Sequence, residues 1–98
     1  MADESAFRVY LYGLDREYKM VFYSYLPFGQ ISANRIAGTA RQLKSDFPSI
    51  EFVYAVDNSY TIHRAYKDLY LNDSIENRVT FKMMLEQFGF LVGVPGSD

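Results

Sequence analysis

The sequence predicts an α+β domain in the order ββαβααβ: a four-stranded, mainly antiparallel sheet with three helices chiefly on one face. Three observations carry this. Residues 6–12 and 17–26 alternate apolar and polar positions on either side of a turn. Three later stretches repeat apolar residues at helical spacing, and each is preceded by a capping side chain. Residues 50–56 are apolar at nearly every position, the pattern of a central strand.

The first strand, 6–12, sends Phe7, Val9 and Leu11 to one side and Arg8, Tyr10 and Tyr12 to the other. Gly13-Leu14-Asp15-Arg16 forms the turn, and the second strand runs from Glu17 to Leu26. Pairing Tyr12 with Glu17 makes one hairpin face apolar throughout, from Phe7, Val9, Leu11, Tyr18, Met20 and Phe22. The opposite face carries Arg8, Tyr10, Tyr12, Lys19, Val21, Tyr23 and Tyr25, with Tyr10 across from Lys19.

Pro27-Phe28-Gly29 ends the hairpin, and Ser32 caps a helix that reaches Asp46 before Pro48. Its apolar stripe is Ala33, Ile36, Ala37, Ala40, Leu43 and Phe47. After the strand 50–56, Asp57-Asn58-Ser59 caps a helix over 60–71, with Ile62, Ala65, Tyr66 and Leu69 inward. Asn72-Asp73-Ser74 breaks the chain and caps the helix 75–88; Asp73 and Glu76 have capping-box spacing, and Gly89 is the stop. Residues 90–94 form a last strand, ended by Pro95.

The 75–88 helix has two apolar faces. Phe81, Met84, Leu85 and Phe88 make the one that a sheet would cover. Ile75, Val79 and Met83, spaced four apart, make a second, rotated from the first. This second face buries either against the neighbouring helix or against another subunit; the expectation carried forward is a contribution to a homodimer.

Ninety-eight residues form one domain with one core, over 1–98, with frayed tails at 1–5 and 95–98. A chain 49% hydrophobic and 17% aromatic fills such a core. Cysteine is absent, which removes disulfides, thiolate metal sites and cysteine nucleophiles. The opening MADESAF is acidic where a secretory leader needs positive charge, and no apolar run approaches the roughly 18 residues of a membrane span. A cytoplasmic protein is expected, of a cell or of the host cell if phage-encoded, with no membrane partner.

Motifs for chemistry are few. His63 is the single histidine, and the stretch from Asp57 to Asp68 has Ile62 where a calcium loop needs glycine. No metal and no cofactor is therefore expected. Neither GxGxxG, a P-loop nor GxSxG occurs, so the chain is expected to be non-enzymatic, with no catalytic residues assigned.

The tyrosines carry the positive signal. Tyr10, Tyr12, Tyr23 and Tyr25 with Arg8 and Lys19 make an aromatic face flanked by cations, the physics of single-stranded nucleic-acid modules. A net charge of −2 opposes a polyanion. Tyrosine equally suits protein interfaces, where it gives large contact area and a polar tip. The leading expectation is a small interaction or regulatory protein that binds another protein through these six residues. Small accessory proteins of phages and mobile elements share this compact, cysteine-free profile. The alternative is an RNA- or single-strand-binding module using the same face.

Overall fold

A computed structural model describes residues 8–27, 29–57 and 60–93. The elements are β1 (Arg8–Leu14), β2 (Met20–Pro27), α1 (Ala33–Asp46), β3 (Phe52–Asp57), α2 (Tyr60–Leu71), α3 (Ile75–Phe88) and β4 (Phe90–Gly93), in the expected ββαβααβ order. Phe7, the two tails, the Asn58–Ser59 cap and the Pro95 stop lie outside the described residues. The four strands form one sheet of order β2-β1-β3-β4, antiparallel at every pairing. β1 and β3 are central, and β2 and β4 are the edges.

β3 is apolar on both sides, so both faces of the sheet must be covered. α2 and α3 together cover one face, as expected, and α1 alone takes the other. On the α1 side Val9, Leu11, Leu26, Val53 and Ala55 pack with Ile36, Ala40 and Leu43. On the other side Tyr12, Leu14, Tyr54 and Val56 pack with Ile62, Phe81 and Leu85. Burying a Leu- or Phe-sized side chain contributes about 1.5–3 kcal/mol, so each layer is a substantial source of stability.

The hairpin differs from its expected register. β1 continues to Leu14, and Val9 stands opposite Leu26, Tyr10 opposite Tyr25, Tyr12 opposite Tyr23 and Gly13 opposite Phe22. Asp15 is the cause. Its carboxylate accepts the backbone N–H groups of Glu17 and Lys19 at 2.8 and 3.0 Å, closing a longer loop than a minimal turn. Tyr18 sits in that loop at φ 65, a left-handed conformation unusual for a large residue.

The pairing then jumps from Gly13–Phe22 to Leu14–Met20, which leaves Val21 as an extra residue in β2. A bulge reverses the alternation of everything beyond it. Tyr18 and Met20, expected beside Val9 and Leu11, consequently pack on the Tyr12 side, while Val21 joins the Leu11 side. Phe22 keeps its expected side but is exposed, with its ring stacked on Phe47 at 4.8 Å.

The helix ends follow side-chain chemistry. Ser32 Oγ accepts from the Arg35 N–H at 3.1 Å and caps α1. Ser74 Oγ does the same for Asn77 at 3.1 Å and caps α3. Asp73 is therefore not the cap; its carboxylate binds Arg78 instead. Phe88, expected on the inward face of α3, is exposed at the end of that helix.

Candidate functional site

The tyrosine face exists, but α2 and α3 cover half of it. Tyr12 is 0% exposed: it stacks on Tyr23 at 5.8 Å and receives the edge of Phe81 at 5.8 Å. It is a core residue, closed to any partner. Tyr10 is half-buried between Tyr12, at 6.4 Å, and Tyr25, at 5.9 Å. The open part is on β2, where Tyr23 is 37% and Tyr25 49% exposed. Arg8 is partly buried, with its guanidinium 5.1 Å from the centre of the Tyr25 ring. Lys19 is exposed but belongs to the Asp15 loop, so it does not stand opposite Tyr10 as expected.

Phase along the hairpin determines where β2 aims its backbone. Pro27 has no N–H and stands opposite Arg8, which makes that pair non-hydrogen-bonded; by alternation Tyr10–Tyr25 and Tyr12–Tyr23 are too. The Leu14 carbonyl agrees, since it accepts the Glu51 N–H at 2.7 Å on the β3 side. Even-numbered residues of β1 thus direct their backbone groups toward β3. Their partners Tyr23 and Tyr25 direct theirs toward the outer edge of the sheet. Between them, Ser24 turns its backbone inward to Leu11.

The second apolar surface is the outer side of α3. Ile75 is 71% and Met83 62% exposed, and Val79 between them is half-buried. Ile75 and Met83 at the two ends of this stripe stay open, because Phe81 and Leu85 on the opposite side of α3 occupy the core. Leu71, at the end of α2, adds to the exposed apolar area near Ile75 in sequence. An open apolar groove of about 440 Å³ lies between the start of α1 and β4, lined by Ile31, Ile36, Ala37, Leu91 and Val92 among others. Phe22, Ser24 and Leu71 were not singled out by sequence reasoning. The absence of charge from Met20 to Pro27 was the available signal for the first two.

Charged groups near these surfaces are engaged in holding loops. Arg78 binds Asp73 with two hydrogen bonds of 2.8 Å and reaches Glu17 at 3.3 Å, tying α3 to the hairpin loop. Arg78 thereby holds the Asp73 carboxyl below its ordinary value. A lowered carboxyl stabilises the fold above its unfolded-state pKa, and that contribution is lost as pH falls through the lowered value. Thermal melts of wild type and Asp73→Asn should therefore separate at neutral pH and converge in acid; a constant gap would contradict this assignment.

Tyr70 donates its hydroxyl to the Tyr18 carbonyl at 2.8 Å, and burial pushes its phenol up to about 12. Such a group stays protonated at neutral pH and serves as a structural donor rather than a base. Among the described residues no three or more His, Asp or Glu side chains stand together as a metal site would require. No helix among them is long and apolar enough to cross a membrane.

Fold and surface together define an open antiparallel α+β sheet domain, covered on both faces, with an aromatic edge strand and an apolar helix face. No family model, curated protein or solved structure matches the chain.

Proposed function

We propose that the protein is a small non-enzymatic interaction or regulatory protein, which acts in the cytoplasm by occupying a surface on another protein. The observation that carries this reading is the distribution of exposed apolar side chains. Tyr23 and Tyr25 adjoin on one face of β2, with Phe22 on the other, while Leu71, Ile75 and Met83 lie along the α2–α3 pair. Both groups sit on elements whose other residues complete the two core layers. Apolar side chains gathered into patches mark binding surfaces more often than scattered ones do. By analogy of profile, an accessory factor of a phage or mobile element fits this reading.

Single-stranded nucleic acid is the second reading, favoured by the Arg8 guanidinium over Tyr25. Burial of Tyr12 reduces the stacking surface to the rings on β2 and part of Tyr10. The two readings part in one experiment. Tagged wild type, Tyr25→Lys and Ile75→Lys/Met83→Lys are incubated with host lysate, and with a mixed single-stranded oligonucleotide at low salt. Retention of one protein by wild type and its loss in one folded variant supports the proposal. Oligonucleotide binding that weakens with salt and is lost in Tyr25→Lys replaces it with the second reading.

A further inference from the structure

We infer that β2 is a self-association edge. Two copies join through their β2 strands, antiparallel about a two-fold axis at Ser24, and merge their four-stranded sheets into one. The inference rests on the reading that the exposed apolar surfaces are binding surfaces, and it assigns the β2 surface to a second copy of this chain. That exchanges the roles expected from sequence, where the outer side of α3 was the dimer face and the tyrosines met a different protein.

The middle of this edge, between a bulge and a proline, lacks protection. β2 spans eight residues, MVFYSYLP, without a single charge. Natural edge strands are blunted by lysines, prolines, bulges, inward-pointing charges or a covering element. Here the bulge lies at the Val21 end and proline at the other, so the stretch from Phe22 to Leu26 between them is regular. No strand pairs with its outer side among the described residues.

Backbone phase and side-chain order both select a second copy. A two-fold interface must be complementary to itself. Phe22-Tyr23-Ser24-Tyr25-Leu26 reads as large apolar, tyrosine, serine, tyrosine, large apolar in either direction. With Ser24 on the axis, Tyr23 stands opposite Tyr25 of the second copy, and Phe22 opposite its Leu26. Tyr23 and Tyr25 are the residues whose backbone groups aim outward, so each such pair can exchange both of its hydrogen bonds. The Tyr10–Tyr25 and Tyr12–Tyr23 ladder then continues across the axis on the same sheet face. Assembly stops at two where the other edge, β4, offers just four described residues, Phe90–Gly93.

Ser24 provides the test. Its backbone faces Leu11, so across the axis it forms a non-hydrogen-bonded pair with Cα atoms about 4.5 Å apart, inside the range that a disulfide spans. The chain has no cysteine of its own, so a single introduced one reports alone. Under mild oxidation Ser24→Cys should convert to a covalent dimer, whereas Ser45→Cys, exposed on α1, should not. Light scattering of wild type at micromolar concentration should give twice the 11.4 kDa chain mass. Tyr25→Lys should return it to the single-chain mass with unchanged circular dichroism, and Ile75→Lys/Met83→Lys should leave it doubled.

A single-chain mass at every concentration, with Ser24→Cys no more cross-linked than Ser45→Cys, overturns the inference. So does a dimer abolished by the α3 substitutions and indifferent to Tyr25→Lys. Either result leaves the interaction reading to the capture experiment, which the α3 variant probes separately.

Discussion

Phe81→Ala is expected to cost about 3–5 kcal/mol, the range for emptying a fully buried aromatic site. Phe81 is 0% exposed and lies at the junction of sheet and helices. Its ring meets Tyr12 at 5.8 Å, Tyr66 at 5.9 Å and Tyr70 edge-on at 5.5 Å. Alanine removes the partner of three rings at once, and Tyr12 cannot move to fill the space without unpairing from Tyr23. Domains of this size have about 5–15 kcal/mol in total. The melting temperature should therefore fall by roughly 15–30 °C, read by circular dichroism. A loss below about 1 kcal/mol would mean that α3 does not seat on the sheet as described.

Gly89→Ala should be nearly as damaging, for a different reason. Gly89 has φ −129, which alanine adopts freely, so conformation is not the obstacle. Space is. A methyl group there would collide with the Ala55 carbonyl oxygen and come within 2.7 Å of Val56 Cγ2. Both belong to β3, and Ala55 pairs with Phe90 of β4 immediately after the glycine. Relief requires the end of α3 to lift and β4 to loosen, costing about 3 kcal/mol. Gly29 is the control. It has φ 94 and open space around a built Cβ, so Gly29→Ala should cost only about 1 kcal/mol of backbone strain. Equal melting temperatures for the two variants would refute the crowding argument.

Element order was legible in the sequence because each element carries its own period and punctuation. Ser32 caps α1 where expected, and Gly89 ends α3. Even the sharing of one face by Tyr10, Tyr12, Tyr23 and Tyr25 survived a wrong register, because the true pairing differs by an even number of residues and preserves sides. The bulge at Val21 was not legible. Nothing in "KMVFY" announces the extra residue, and it moved Tyr18 and Met20 to the opposite layer.

Depth was the larger loss. Alternation says which side a residue takes and is silent about what lies above that side. Tyr12 and Tyr25 share a face, yet the first is sealed under α3 and the second borders solvent, because one strand is central and the other an edge. The apolar run of β3 held the missing clue. A strand greasy on both sides needs cover on both, which places a helix over the tyrosine next to it.

Segregation of the tyrosines gives the molecule a built-in optical label. Tryptophan is absent, so tyrosine dominates its near-ultraviolet spectrum. Tyr10, Tyr12, Tyr18, Tyr54, Tyr66 and Tyr70 all contribute to the layer beneath α2 and α3, and the α1 layer contains none among its packed residues. Near-ultraviolet dichroism therefore reports one layer, and far-ultraviolet dichroism the backbone of both. Coincident melting of the two signals would show that the layers unfold as a unit. Separate transitions would show the sheet holding one set of helices after losing the other.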